Sequence, residues 1–137
     1  MTTVDSKTYE AQKAGKIALP SGVEHTTLLI SSTEFEATAM SAGTTVNLFE
    51  LPIDAKIHNF LVSYDALGAG TALDIGDSND TDRYVDGLTT TSAGSASGIL
   101  PDGCGYAIGT NEGDNVITAT TAGTATGTVK VVCFYAI

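Results

Sequence analysis

The 137-residue sequence has no tryptophan, two cysteines, three prolines and only six basic side chains. Each shortage excludes something. Two cysteines, Cys104 and Cys133, set no disulfide framework, because small secreted scaffolds carry more of them at regular spacing. Six basic residues against 16 acidic ones give a formal charge of −10. That sign repels phosphate backbones and anionic lipid surfaces, so neither nucleic acid nor membrane is expected as a partner. No apolar run approaches the roughly 18 residues of a membrane helix. Residues 1–15 lack both the basic start and the apolar stretch of a secretory signal, so synthesis in the cytoplasm is expected.

What is abundant is glycine, threonine, serine and alanine, set among short apolar runs. The stretch from Val46 to Gly87 organises the rest. Val46 to Leu48 leads in, and Leu51-Pro52 stops the ladder because proline has no N–H to donate. From Lys56 to Asp65, Ile57, Phe60, Leu61, Val62 and Tyr64 are apolar on both parities. That pattern suits a central strand buried on both faces, or one that passes from one sheet to another. Leu67 to Gly70 supplies glycines for a turn, and Leu73 and Ile75 alternate with Ala72 and Asp74, so a hairpin is expected here.

Taken in order, the remaining chain reads as β throughout. Strands are expected over Val23 to Ser32 and again around Phe35, Ala37 and Ala39. Thr45 to Leu51 returns after a turn at Ala42-Gly43-Thr44. Thr89 to Gly98 is a Thr/Ser/Gly tract that reads as a long loop or flexible edge. One short strand is expected around Tyr106 to Ile108. Val116 to Thr121 and Thr128 to Ile137, joined by a glycine-bearing turn, read as a second hairpin rich in β-branched residues. With eight or nine such strands and no amphipathic helix of ordinary length, the class is all-β. The expected fold is a β-sandwich or jelly-roll-like domain of about eight short antiparallel strands, over residues 23–137. The length supports one core.

Residues 1–22 stand apart, since Lys7, Lys13 and Lys16 are three of the six basic residues of the chain. Composition leaves two readings: a poorly ordered tail, or an extended arm that orders against a partner. In the second, Ile17, Ala18 and Leu19 are the anchor and the lysines face an acidic surface.

Few residues invite a chemical role. Asp77 to Asp82 gathers oxygen ligands of the kind calcium needs, yet lacks the glycine and distal glutamate of a helical calcium-binding hairpin. Asx-rich turns form without metal for local hydrogen-bonding reasons, and Arg83 directly after the carboxylates points to an ion pair that pins the loop. His25 and His58 have no carboxylate or cysteine at ligand spacing. Cys133, inside the apolar run Val129 to Ile137, reads as a reduced core residue, and Cys104 has no adjacent cation to activate it. No nucleophile, base and orienting group can be assembled, so no enzyme activity, cofactor or metal is expected.

The segments LPIDAKIHNFLVSYDALGAGTALDIGDSNDTDRYVDG and GYAIGTNEGDNVITATT resemble small structural proteins of tailed bacteriophages, of the head-decoration or capsid-cement type. The matching elements are Leu51-Pro52, Asp65 to Gly70 leading to Leu73 and Gly76-Asp77, and Asp80 to Tyr84. The resemblance spans roughly Val46 to Thr121. It implies a protein made in the host cytoplasm that binds the major capsid protein on the outer surface of the virion and stabilises the head. It further implies a homo-oligomer, expected as a trimer on or near local three-fold axes. The arm residues Lys7, Lys13, Lys16, Ile17 and Leu19 would then fasten it to the capsid or to another partner. The alternative is a tail, fibre or baseplate component, or a carbohydrate-binding module in which Tyr9, Tyr84 or Tyr106 stacks on sugar; the lack of tryptophan counts against the sugar reading.

Overall fold

A computed structural model describes residues 28–137. The expected arm, with Lys7, Lys13, Lys16, Ile17 and Leu19, lies outside the described residues, as does the segment 23–27. The described chain is all-β: β1 (Leu29–Met40), β2 (Thr45–Glu50), β3 (Lys56–Tyr64), β4 (Ala72–Gly76), β5 (Val85–Thr89), β6 (Gly94–Gly98), β7 (Val116–Ala122) and β8 (Ala125–Ala136). These form two antiparallel four-stranded sheets, ordered β1-β8-β3-β6 and β2-β7-β4-β5. We call them the first and second sheets.

The order follows from one long ribbon folded back on itself. β1 pairs with β8, β2 with β7, β3 with β6 and β4 with β5. Rolling that ribbon brings β3 beside β8 and β4 beside β7, which completes both sheets. Eight strands wired in this way make a jelly-roll-like sandwich. Among sequential neighbours, only β4 and β5 pair with each other.

Several expectations are corrected by this wiring. The Leu67 to Gly70 turn does not close a hairpin, because β3 lies in the first sheet and β4 in the second. The turn between β7 and β8 is likewise a crossing between sheets. Gly68 and Gly70 do adopt positive φ, at 133° and 69°, so the glycines serve a corner rather than a hairpin tip. The segments expected as two strands before Met40 are one 12-residue strand, β1. Residues 99–115 hold no named strand, only turns and an isolated bridge from Ala107 to Lys56. The Thr89 to Gly98 tract, expected as loop or edge, contributes β6, an edge strand of the first sheet.

β3 shows why its apolar residues fall on both parities. A register shift between Ile57 and Asn59 inserts one residue, so Ile57, Phe60 and Val62 all point inward and all are buried. A bulge of this kind switches parity without the strand leaving its sheet. β3 is the central strand that was expected, between β8 and β6, but it is buried on one face only. A second shift, between Ala37 and Met40 on β1, places Ala39 at φ 45°, and its amide is held by Thr126 Oγ1 at 3.0 Å.

The core sits between the inner faces. Ile57, Phe60 and Val62 of β3 with Val129, Val131 and Cys133 of β8 meet Leu73 and Ile75 of β4 and Ile117 and Ala119 of β7. Each large aliphatic or aromatic chain so buried contributes about 1.5–3 kcal/mol. Burial also pushes the Cys133 thiol up to about 12, so at neutral pH it is a protonated, small hydrophobe. Cys104 is exposed on the β6–β7 connection. A thiol reagent applied to the native protein is therefore expected to label Cys104 and spare Cys133, with both labelled after unfolding. Rapid native labelling of Cys133, read by peptide mass, would contradict the packing described.

Candidate interaction surface

The acidic segment between β4 and β5 is a structural knot. Asp77 is fully buried, and its Oδ1 accepts the amides of Asn79 and Asp80 at 2.9 and 3.0 Å. Its Oδ2 accepts from Arg83 Nε at 2.7 Å. These contacts occupy both carboxylate oxygens with the turn amides and the ion pair. Arg83 in turn lies over the Tyr106 ring, with Cζ 3.9 Å from the centroid, a cation–π contact made in a partly desolvated setting. Burial disfavours the Arg83 charge, but the hydrogen bond and charge of Asp77 outweigh it and hold the guanidinium above its ordinary range. Among the described residues, no three His, Cys, Asp or Glu side chains converge as a metal site.

A second carboxylate extends the knot into the β6–β7 connection. Asp114 accepts the amides of Gly109 and Asn111 at 2.8 and 2.9 Å, and the Tyr106 hydroxyl at 2.8 Å. Burial raises its pKa, but the two amides, the hydroxyl and the Arg83 charge more than reverse this, leaving it below the ordinary carboxylate value. A depressed folded-state pKa contributes stability that is fully present above the unfolded value of about 3.9 and is lost as pH falls through the folded value. Wild-type stability is therefore expected to drop on acidification below about pH 4. Asp114→Asn should flatten part of that slope. An unchanged slope in urea titrations across pH 2–5 would remove Asp114 from the account.

The other candidates separate. His58 is exposed at the β3 bulge, and His25 lies outside the described residues. Tyr84 cannot stack on a sugar, contrary to that reading, because it is fully buried against Phe60 with ring centroids 5.5 Å apart. Tyr106 is half-buried and the Arg83 guanidinium covers one face of its ring. Tyr9 lies outside the described residues.

The surface that stands out was not singled out in the sequence. On β1, burial alternates, and the outward positions include Ile30, which is 61% exposed. Ile30 pairs directly with Phe134 of β8. Two residues on, Ser32 pairs with Val132, which pairs with Leu61 of β3, 37% exposed. The outer face of the first sheet thus carries a contiguous apolar patch of Ile30, Phe134, Val132 and Leu61, with exposed Leu28 beside it. Glu34, Lys130, Ser63 and Ser95 form one cross-strand row at its rim. An outer sheet face is ordinarily polar, and an apolar patch with a polar rim marks an interaction site. The signal in the sequence was the unbroken apolar run Val131 to Ala136, which feeds both faces of β8.

The architecture defines an all-β sandwich whose distinctive surfaces are a sheet face and free strand edges. Among solved structures, a chain of the cyanophage Pam1 capsid asymmetric unit shares the fold with a TM-score of 0.64, at 21% identity, over 81% of this chain and 84% of that one. A chain of the capsid of Ralstonia phage GP4 does so with a TM-score of 0.60, at 16% identity, over 80% and 84%. At these identities the likeness is one of fold. No protein-family model matches the chain, and no curated protein matches its sequence.

Proposed function

We infer that this chain is a virion structural protein of a tailed phage, a decoration or cement protein that binds the major capsid protein lattice from outside and stabilises the head. The observation that carries the reading is the fold shared, over four-fifths of the chain, with chains of two phage capsids. The apolar face of the first sheet and the acidic, weakly charged remainder agree with a role in adhesion rather than catalysis. We assign capsid contact to Ile30, Leu61 and Phe134, and fastening to the arm residues Lys7, Lys13, Lys16, Ile17 and Leu19. Contacts repeated by a symmetric oligomer, with a trimer as the working assignment, multiply a modest affinity per site.

The test compares particles with and without the protein for copies per capsid and for survival under heat or osmotic shock. Hundreds of copies and a fragile stripped head are expected. A handful of copies with unchanged head stability would instead make it a tail, fibre or baseplate part. In re-addition assays, Phe134→Asp is expected to weaken binding to stripped heads by about 10- to 100-fold, the equivalent of about 1.5–3 kcal/mol of lost burial. Undiminished binding by this variant would move the contact off this face.

A further inference from the structure

The two sheets close poorly at one side. Among the described residues, β5 and β6 are the edge strands there, each paired on one side only, β5 with β4 and β6 with β3. β6 reads Gly-Ser-Ala-Ser-Gly. Its one inward side chain of any size is Ala96, opposite Val62, so it cannot fill the gap between the sheets. What remains is an apolar slot of about 250 Å³ with Phe60, Val62, Tyr84, Leu88, Ala96 and Ile99 among its walls. Among the described residues, Asp86 is the one carboxylate on it, and no basic side chain lines it. The fully buried Tyr84 ring forms part of its wall.

An extended peptide would answer the open edges and the apolar slot together. Added along a free edge, it pairs its backbone with the unpaired strand and sends alternate side chains inward. The chain itself contains a segment of matching pattern, Lys13-Ala14-Gly15-Lys16-Ile17-Ala18-Leu19-Pro20. Paired as a strand, this sequence would put Ile17 and Leu19 on one face and Lys16 and Ala18 on the other, with Pro20 as the stop. The segment's charge is opposite to that of the body: residues 13–20 carry Lys13 and Lys16 and no acid, while residues 28–137 carry the net charge of −10.

We propose that the slot between β5 and β6 receives the segment Lys16 to Leu19 of a second copy of this chain, with Ile17 and Leu19 as the buried side chains. Leu28 leads into β1, which lies at the opposite edge of the first sheet from β6. That attachment at the edge remote from β6 is the ground for assigning the segment to a second copy rather than to its own slot. Head-to-tail contacts of this kind close into rings, which accommodates the trimer assigned above. The inference deepens the fastening role given to the arm by naming its receptor, and it applies to the purified protein with no capsid present.

The experiment is disulfide trapping in the full chain carrying Cys104→Ser. A chain with Ile17→Cys is mixed with one carrying Ala96→Cys and treated with diamide, which takes up the two electrons and two protons released as the thiols join. A covalent heterodimer is expected, in at least about tenfold greater yield than with Ser41→Cys, placed at the opposite edge, in the role of Ala96→Cys. Absence of that excess overturns the proposal. So does an internal disulfide in the doubly substituted chain with no heterodimer in the mixture, which would make the slot the receptor for its own arm. As a second measurement, Ala96→Phe fills the slot and is expected to weaken self-association at least about tenfold by sedimentation while unfolding stays cooperative. Unchanged self-association would also overturn it. Copy number on particles is a separate observable, so failure of the trap is distinguishable from failure of the decoration reading.

Discussion

Replacing Arg83 by methionine is expected to lower the unfolding free energy by about 3–5 kcal/mol, the range found when one partner of a buried ion pair is removed. Asp77 has no solvent access, and the Arg83 side chain is only 13% exposed. Once the guanidinium is gone, the carboxylate keeps its two amide donors but loses its compensating charge in a medium that solvates ions poorly. Methionine retains much of the stem, so the loss reports charge rather than volume. The cation–π contact with Tyr106 goes as well, which loosens the Asp114 knot behind it. Urea titration of Arg83→Met against Lys130→Met, a change at an exposed position on the outer sheet face, provides the comparison. The second is expected to stay within about 0.5 kcal/mol of wild type. Adding Asp77→Asn to Arg83→Met should recover part of the loss, because it removes the stranded charge. A loss below about 1 kcal/mol for Arg83→Met would reduce the pair to the standing of a surface salt bridge.

Gly76→Ala is expected to cost more than about 3 kcal/mol, above the usual range for overpacking. A Cβ at residue 76 would lie 2.1 Å from the backbone carbonyl oxygen of Asp80 and 2.5 Å from the carbonyl carbon of Thr81. Those atoms cannot swing aside as a side chain can. They belong to the turn that Asp77 organises, where the Asp77 amide donates to the Asp80 carbonyl at 2.9 Å. To admit one methyl group, the loop must abandon the amide contacts that make the buried carboxylate tolerable. Gly94→Ala is the control, because the atoms nearest its Cβ would be those of the Tyr64 side chain, with the hydroxyl oxygen at 3.3 Å. There the effect should remain within about 0.5 kcal/mol. Equal thermal midpoints for the two variants would show that the turn gives way more readily than its contacts imply.

The two substitutions probe Gly76-Asp77 through Tyr84, part of the stretch on which the sequence resemblance to phage structural proteins rests. In that stretch the residues most suggestive of a ligand site are committed to holding β4 and β5 together. The surfaces proposed for partners lie elsewhere: the apolar outer face of the first sheet, and the edges of β5 and β6.

Much of this protein is set by the local sequence. Alternation and β-branched residues marked out β2, β3, β7 and β8, because side chains on a pleated strand fall on alternate faces whatever lies beside them. The ion pair between Asp77 and Arg83 was legible for the same reason, since both partners lie within six residues of each other. What the sequence could not decide is pairing. A glycine turn such as Leu67 to Gly70 reverses the chain equally well into a hairpin or across a sandwich, and only burial of both inner faces selects the crossing. The parity of β3 needed the bulge at His58, which exists because β8 fixes its register on the far side. The outer patch needed Ile30, Leu61 and Phe134 to be brought from three separate strands to one face. Strand formation is a property of neighbours in sequence, whereas sheet order and surface composition depend on contacts between distant residues and arise only when the ribbon folds.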